Sequence, residues 1–428
     1  MSNIPRLLVS SVDGEIIDCP EYTMAGFSGD NPEFPDHLIP LPEGSTLYTL
    51  PGRKPIGFDD KTGEQVVLDE YLDEPVQAVA AFVAPAYTQL MRPAFKKTPK
   101  APLLPLFCYT AVGWKDDKFW IPAMRIDESK RQDANQFSER KIKKGARELL
   151  KRYPKNRLVK HLMENCCQKY RCPAARNFAL GRWEMPLPTS RACNSKCLGC
   201  ISFQSTKKLC SPQERISFAP SPEEIAEIVV PHFETAEQPV ASFGQGCEGE
   251  PLTEFEIIEE SIKIIRSETQ KGIINLNTNA SYPERIERLL EAGLDSIRVS
   301  INSARKEYYE KYFSPSDYKF EDVIESIKIA RSKNKFISLN YFVFPGFTDQ
   351  QEELDALETL LEFPGVDMIQ WRNLNIDPDW YIEEMGIDFS SRNIGVKNVI
   401  ENVREKFPDV MFGYFNPYFL SLDTDKKC

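Results

Sequence analysis

Ser296-Ile-Arg-Val-Ser-Ile-Asn302 reads as a single β-strand with two unlike faces. Side chains alternate along a strand, so Arg298, Ser300 and Asn302 share one face and Ile297, Val299 and Ile301 the other. The apolar face asks for a helix layer. The polar face asks for partners inside the fold, because buried polar groups left unpaired are costly. The same short apolar strand, polar loop and helix recur on both sides of this stretch. Strands are expected at Val240–Phe243, Ile273–Leu276, Phe336–Val343 and Val366–Trp371, each separated from the next by a helical run. Glu184-Met-Pro-Leu-Pro188 leads into the series, and Pro222–Val230 follows a Ser221/Glu224 capping box. Six such alternations imply parallel strands with helices packed outside them. Six is short of the eight that close a barrel. The helix Val396–Phe407 and the strand Val410–Tyr414 extend the series.

In such folds, ligands bind where strands end and loops begin. The loop after the first strand holds Cys193-Asn-Ser-Lys-Cys197-Leu-Gly-Cys200. Three thiolates at C-x₃-C-x₂-C spacing can wrap one compact metal centre. Iron–sulfur clusters mostly use four Cys ligands, and structural zinc sites also close with four. A four-iron cluster held by only three thiolates keeps one iron open to a small molecule. The triplet alone fits a zinc knuckle or unrelated thiols as well.

At these residues the chain resembles the radical S-adenosylmethionine (SAM) superfamily, and the resemblance continues in order through the later loops. Gly249-Glu250-Pro251 is similar to the superfamily's Gly-Gly-Glu-Pro motif, with Glu248 in place of its first Gly. Thr278-Asn279-Ala280 stands where Thr-Asn-Gly is common, and Asn340-x₄-Pro345-Gly346-x-x-Asp349 looks like a stretch of the molybdenum-cofactor cyclase relatives. There Pro345-Gly346 makes a turn and Thr348 or Asp349 caps the next helix. The resemblance spans about residues 183–375 and implies an α/β fold with a partial (β/α)₆ barrel. It implies a [4Fe–4S] cluster on Cys193, Cys197 and Cys200, with SAM on the fourth iron. Gly249, Glu250, Asn279, Ser300, Asn302 and Asn340 would contact SAM. It implies reductive SAM cleavage to a 5′-deoxyadenosyl radical that abstracts hydrogen from a substrate, with electrons from a flavodoxin- or ferredoxin-type donor. The aromatic residue usual before the third cluster cysteine is replaced by Gly199, leaving Phe203 or Trp371 to frame the adenine. Gln370, Arg372, Asn373, Asn375 and Asp377 form a polar exit that fits substrate contacts or an ordinary solvated loop equally well.

The rest of the chain sets bounds. Its 428 residues are 41% hydrophobic and 27% charged, an ordinary globular balance. The expected organisation is a β-rich N-terminal accessory region (1–128), a basic helical linker (129–182), the barrel (183–380) and a C-terminal extension (381–428) whose tail is polar. Fifteen of the 32 prolines fall in the first 125 residues, which excludes long helices there. No apolar run is long enough for a bilayer and the N-terminus lacks a signal-peptide pattern, so a cytoplasmic protein is expected. The net charge of −11 argues against general DNA binding. Lys130–Lys160 departs from it with twelve Lys/Arg against three Asp/Glu, a solvated basic face or a strip for RNA phosphates or an acidic peptide. Eleven cysteines and three histidines point to metal or catalysis rather than a disulfide scaffold, and no His pair has ligand spacing. Cys166, Cys167 and Cys172 match no cluster motif; with Cys210 or Cys247 they hold a second cluster, or they are buried thiols.

No catalytic side chain is assigned, and the substrate is open among a small molecule, a peptide and RNA. A non-catalytic iron–sulfur or zinc scaffold or regulator is the reading from another class.

Overall fold

The computed structural model describes residues 4–204 and 209–419. The polar tail, Asp423–Cys428, lies outside the described residues. Seven parallel strands form the central sheet: β1 (Glu184–Leu187), β2 (Val240–Phe243), β3 (Ile273–Thr278), β4 (Ser296–Ile301), β5 (Phe336–Val343), β6 (Met368–Asn373) and β7 (Met411–Gly413). They lie side by side in chain order. β1 and β7 end the row without pairing to each other, so the barrel is partial. The seventh strand is the short one that the sequence shows after the sixth unit.

Each strand sends alternate residues to opposite sides. Ile297, Val299 and Ile301 of β4, and Ile337, Leu339, Tyr341 and Val343 of β5, are fully buried under the helix layer. Ile258, Ile262 and Ile265 of the helix Phe255–Glu268 are part of that packing. The other side is polar. The parallel register sets Asn277, Arg298 and Ser338 in one row and Ser300, Asn340 and Gln370 in the next. A closed barrel fills its interior with branched apolar side chains. This one instead carries a hydrogen-bonded network. Ser296 Oγ donates to Asn275 Oδ1 (2.8 Å), Asn275 Nδ2 to Asn277 Oδ1 (2.8 Å) and Gln370 Nε2 to Asn416 Oδ1 (3.1 Å).

Among the described residues, the stretch up to position 125 holds sixteen short strands, mostly antiparallel partners in one large sheet. Strands expected around Ser45–Leu50, Gln65–Leu68 and Lys118–Pro122 are found at Thr46–Leu50, Gln65–Val67 and Lys118–Ile121. The strand Glu74–Phe82 is buried on both sides: Val79 and Ala81 enter one apolar cluster, Ala78 and Ala80 another. This region grips the far end of the barrel. Thr88 Oγ1 donates to Trp371 O, Gln89 N to Asn373 Oδ1, and Arg53 pairs with Asp377 at 2.6 Å with both side chains fully buried. Asp127 accepts from Tyr414 N and Phe415 N just past β7.

The linker holds one difference from expectation. The helix Glu139–Arg152 buries Ile142 and Ala146 and turns its cations outward. A single helix is expected from Leu158 to Lys169. Instead an α-turn, Arg157–His161, passes into a π-helix, Leu162–Lys169. Hydrophobic periodicity does not report this change of winding, because Leu158 in the first piece and Leu162 and Met163 in the second are buried at ordinary helical spacing.

The turn Pro345-Gly346 forms, but neither Thr348 nor Asp349 caps the following helix, which starts at Gln351. Asp349 is spent inside the turn, where its carboxylate accepts from Gly346 N at 2.6 Å. Thr348 Oγ1 accepts from Phe344 N.

Candidate active site

The loops at the carboxyl ends of β1 to β6 enclose a cavity of about 420 Å³. Its size suits a small organic ligand. Cys193, Cys197 and Cys200 all line it. Their loop is fixed by backbone bonds to the helix Lys306–Phe313: Lys196 N donates to Phe313 O (2.9 Å) and Leu198 N to Tyr312 O (3.0 Å). Asn194 Nδ2 bonds Ser281 Oγ and Asp317 Oδ1, and Ser195 Oγ meets Tyr318 OH at 2.8 Å. Burial and Glu250 push the Cys193 thiol up to about 11. Burial, Cys200 and Cys193 hold the Cys197 thiol well above its usual range. A bound cation reverses that balance, since coordinated thiols lose their proton. Arg215 adds positive charge, with Nη2 3.8 Å from Cys200 Sγ.

The loop after β2 packs against the start of the triplet. Gly249 N donates to Ser190 O and Glu250 N to Ala192 O, each at 2.8 Å. A Cβ on Gly249 would lie 1.7 Å from Ala192 O, and one on Gly244 would lie 1.7 Å from Asn277 O. Only glycine permits either approach. Glu248, which departs from the superfamily motif, is a buried brace. Its carboxylate accepts from Thr189 N, Ser190 N and Gln245 N at 2.6–2.9 Å, joining the exits of β1 and β2. Glu250 does the same between β2 and β3, accepting from Leu252 N, Thr278 Oγ1 and Asn279 N. Burial pushes both carboxyls up to about 7.

Five of the six expected SAM contacts line this one cavity: Gly249, Glu250, Asn279, Ser300 and Asn340. Asn340 Nδ2 donates to Ser300 Oγ at 3.2 Å, and Asn279 Nδ2 reaches Asn194 Oδ1 and Ser195 Oγ. Asn302 is not in the lining. It lies just past the end of β4, fully buried, and its Nδ2 donates to Tyr308 O. Neither aromatic candidate for the adenine lines the cavity. Trp371 faces outward from β6 between Tyr341 and Phe412, and Phe203 is 53% exposed beneath Arg215. The place next to Gly199 is filled from another element: a Cβ on Gly199 would lie 2.7 Å from Tyr312 OH. The polar exit of β6 divides. Asp377 is spent on Arg53 and Leu104 N and fastens the N-terminal region, while Asn373 bonds Gln89 N and Tyr87 O and also lines the cavity, as does Asn375. Arg372 turns into the cavity, donating to Tyr414 O.

Sequence reasoning missed Tyr312, Phe342, Phe415 and Asn416, which also line the cavity. Phe342 was legible from strand alternation with Asn340. Nothing local marks the other three, which arrive from a helix and from the turn past β7.

The residues present fit a [4Fe–4S] cluster and SAM. Three thiols open onto one cavity, glycine-bound backbone surrounds them, and hydrogen-bonding side chains face them. Residues 187–357 match the family model of the Radical SAM superfamily. The chain is similar to an uncharacterized protein of Methanocaldococcus jannaschii, 32% identical over 103 residues, 24% of this chain and 35% of that protein. It is similar to the GTP 3′,8-cyclase of Aquifex aeolicus, 27% identical over 195 residues, 44% of this chain and 56% of the cyclase. The chain thus spans about half or less of the curated relatives it matches. Among solved structures it is similar to Streptococcus suis SuiB bound to S-adenosylmethionine, with 14% identity, a TM-score of 0.39, and 55% and 51% of the two chains covered. It is also similar to the FeFe-hydrogenase maturase HydG from Carboxydothermus hydrogenoformans, with 16% identity, a TM-score of 0.37, and 63% and 70% covered. With the triplet, the loop after β2 and the polar strand faces in place around one cavity, residues 187–357 are a radical SAM domain.

Proposed function

We propose that the chain is a radical SAM enzyme, in which Cys193, Cys197 and Cys200 hold a [4Fe–4S] cluster and SAM is cleaved reductively to start a hydrogen abstraction. The observation that carries this reading is the opening of all three thiols into the cavity lined by Gly249, Ser300 and Asn340. When bound, the cluster and SAM would supply the radical chemistry, and the protein supplies binding, orientation and exclusion of water. Gly249 lets the backbone come within reach of the triplet. Ser300, Asn340 and Asn279 offer hydrogen bonds along the wall. Glu248 and Glu250 hold the three loops in register.

Arg298 and Arg372 place positive charge on the floor of the cavity, beside the Glu184 carboxyl, which burial holds above its usual range. Arg298 Nη1 donates to Gln370 Oε1, while its buried Nε has no hydrogen-bond partner. A substrate or cofactor group bearing negative charge suits that floor. An electron donor of the flavodoxin or ferredoxin kind would serve the cluster. Among the described residues no helix is long and apolar enough to cross a membrane.

The test is anaerobic reconstitution with iron and sulfide, followed by reductant and SAM, with 5′-deoxyadenosine read by mass spectrometry. Product from the wild type, and none from the Cys193→Ala, Cys197→Ala, Cys200→Ala variant, is expected. An iron-loaded wild type that does not bind SAM would overturn the reading and favour a scaffold.

A further inference from the structure

Bordering the same cavity as the triplet, a second set of ligand-type side chains converges. His161, Cys166 and Cys247 bring one nitrogen and two sulfurs within 4.8 Å of one another, and all three residues are buried. Cys166 Sγ and Cys247 Sγ are 3.5 Å apart. His161 is 8% exposed, and its Nε2 is buried without a hydrogen-bond partner. The other ring nitrogen, Nδ1, lies 3.1 Å from Asn165 Nδ2, and turning that amide over about its last bond places Oδ1 there instead. With the amide oxygen turned to it, Nδ1 carries the proton and Nε2 presents its lone pair. Metal-binding histidines are commonly held by such a partner on the second ring nitrogen.

The winding of the linker explains how the set forms. On an α-helix, residues five apart lie about 140° apart around the axis. His161 and Cys166 would then face different ways. The π-helix Leu162–Lys169 bonds i to i+5 and brings such residues toward one face. Single π-turns are often found at functional sites. Cys247 arrives from the loop after β2, 81 positions later in the chain, held by Ile216 N donating to its carbonyl.

We propose that His161, Cys166 and Cys247 form a mononuclear site for a thiophilic divalent ion of the Zn²⁺ type, with its fourth position open to the cavity. Two sulfurs each bound at about 2.3 Å to a tetrahedral ion sit roughly 3.8 Å apart, close to the separation seen here. A cluster would spread its thiolates over the corners of a larger cube. Two thiolates and a neutral imidazole also leave a divalent ion without net charge, which suits burial. Cys166 and Cys247 both line the cavity, so the unfilled position faces whatever the cavity holds. Three protein ligands and one open position are the pattern of catalytic rather than structural zinc. The ion would anchor or polarise a polar group of the bound molecule.

The test removes the triplet so that its thiols cannot compete. The full chain carrying Cys193→Ala, Cys197→Ala and Cys200→Ala is prepared reduced and metal-free, then titrated with Co²⁺. One equivalent is expected, with thiolate-to-cobalt charge transfer and the intense visible bands of a tetrahedral ion, all displaced by Zn²⁺. His161→Gln and Cys247→Ser, each added to that chain, should weaken binding at least tenfold while circular dichroism stays unchanged. Cys167→Ser, a buried neighbour outside the group, should keep the bands, as should Cys172→Ser. A folded chain that gives no bands, bands that survive Cys247→Ser, or a Cys166–Cys247 disulfide in the reduced preparation would overturn the site. Bands lost in Cys172→Ser would overturn the open position. None of these readouts needs SAM cleavage, so this proposal and the proposed function fail separately.

Discussion

The triplet Cys193–Cys200 and the group of His161, Cys166 and Cys247 reach the same cavity but are built in opposite ways. The triplet is continuous in the chain. Its cysteines are partly exposed, on a loop whose shape comes from backbone bonds to Tyr312, Phe313 and the glycine loop after β2. The second group is discontinuous and buried, and depends on a π-helix meeting a barrel loop. A metal on a loop can be announced by spacing alone. A metal between elements is announced only when the elements have packed.

The contrast can be broken most directly at the triplet. The triple Cys→Ala variant should lose 5′-deoxyadenosine formation down to the assay background. Its unfolding midpoint in urea should stay near wild type, because the loop keeps its backbone bonds.

A smaller effect is expected from Gly249→Ala. The new Cβ would meet Ala192 O at 1.7 Å, so the loop must retreat from the triplet. Displacements near 1 Å can cost roughly 100-fold in rate. The turnover of SAM in single-turnover assays should fall by about that order, with cobalt binding at the second group unchanged. Equal loss at both sites would mean that the two share one scaffold.

Asn165→Ala sharpens the comparison from the other side. Removing the partner of His161 Nδ1 should weaken cobalt binding roughly tenfold or more, as loss of such partners does elsewhere. Isothermal titration of the triplet-free chain reads this, and SAM cleavage in the reconstituted chain with its triplet intact is the control.

The least effect on either site is expected from Glu353→Gln. Burial pushes the Glu353 carboxyl from about 4.5 up to about 7, while Ser303 Oγ donates to it and Arg305 lies 3.4 Å away. Between those values the folded chain keeps a proton that the unfolded chain has lost. Stability therefore falls as pH rises through that window, by on the order of 1–3 kcal/mol for this group. Urea midpoints at pH 5 and pH 8 should show that fall, and Glu353→Gln should reduce its slope. Glu248, Glu250 and Asp349 shift in the same direction and keep part of it.

Much of the barrel was legible because its signals are local. Period-2 alternation marks Arg298 and Ser300 as inward and Ile297 and Val299 as outward, and the register then sets Ser300 beside Asn340. The capping box at Ser221 and Glu224 forms as the spacing says. Expectations failed where a side chain had a competing partner. Asp349 looked like a helix cap and closes a turn instead. Trp371 looked like a ligand platform, but its place in the alternation sends it into the outer core. Asp377 is polar because it receives the N-terminal region, and Asn373 serves that region while also lining the cavity.

What the sequence determined by itself was the order of strands and helices, the polar inner face of β4, and the cysteine triplet with the glycines that let backbone approach it. Each depends on residues within a few positions of one another, where covalent spacing and backbone geometry leave little freedom. The tertiary structure alone decided that Tyr312 fills the space beside Gly199 and that Asn416 joins the floor of the barrel. It alone brought Cys247 to within 3.5 Å of Cys166. Those contacts join residues far apart in the chain, and they form only after burial of the apolar faces has fixed how the elements pack.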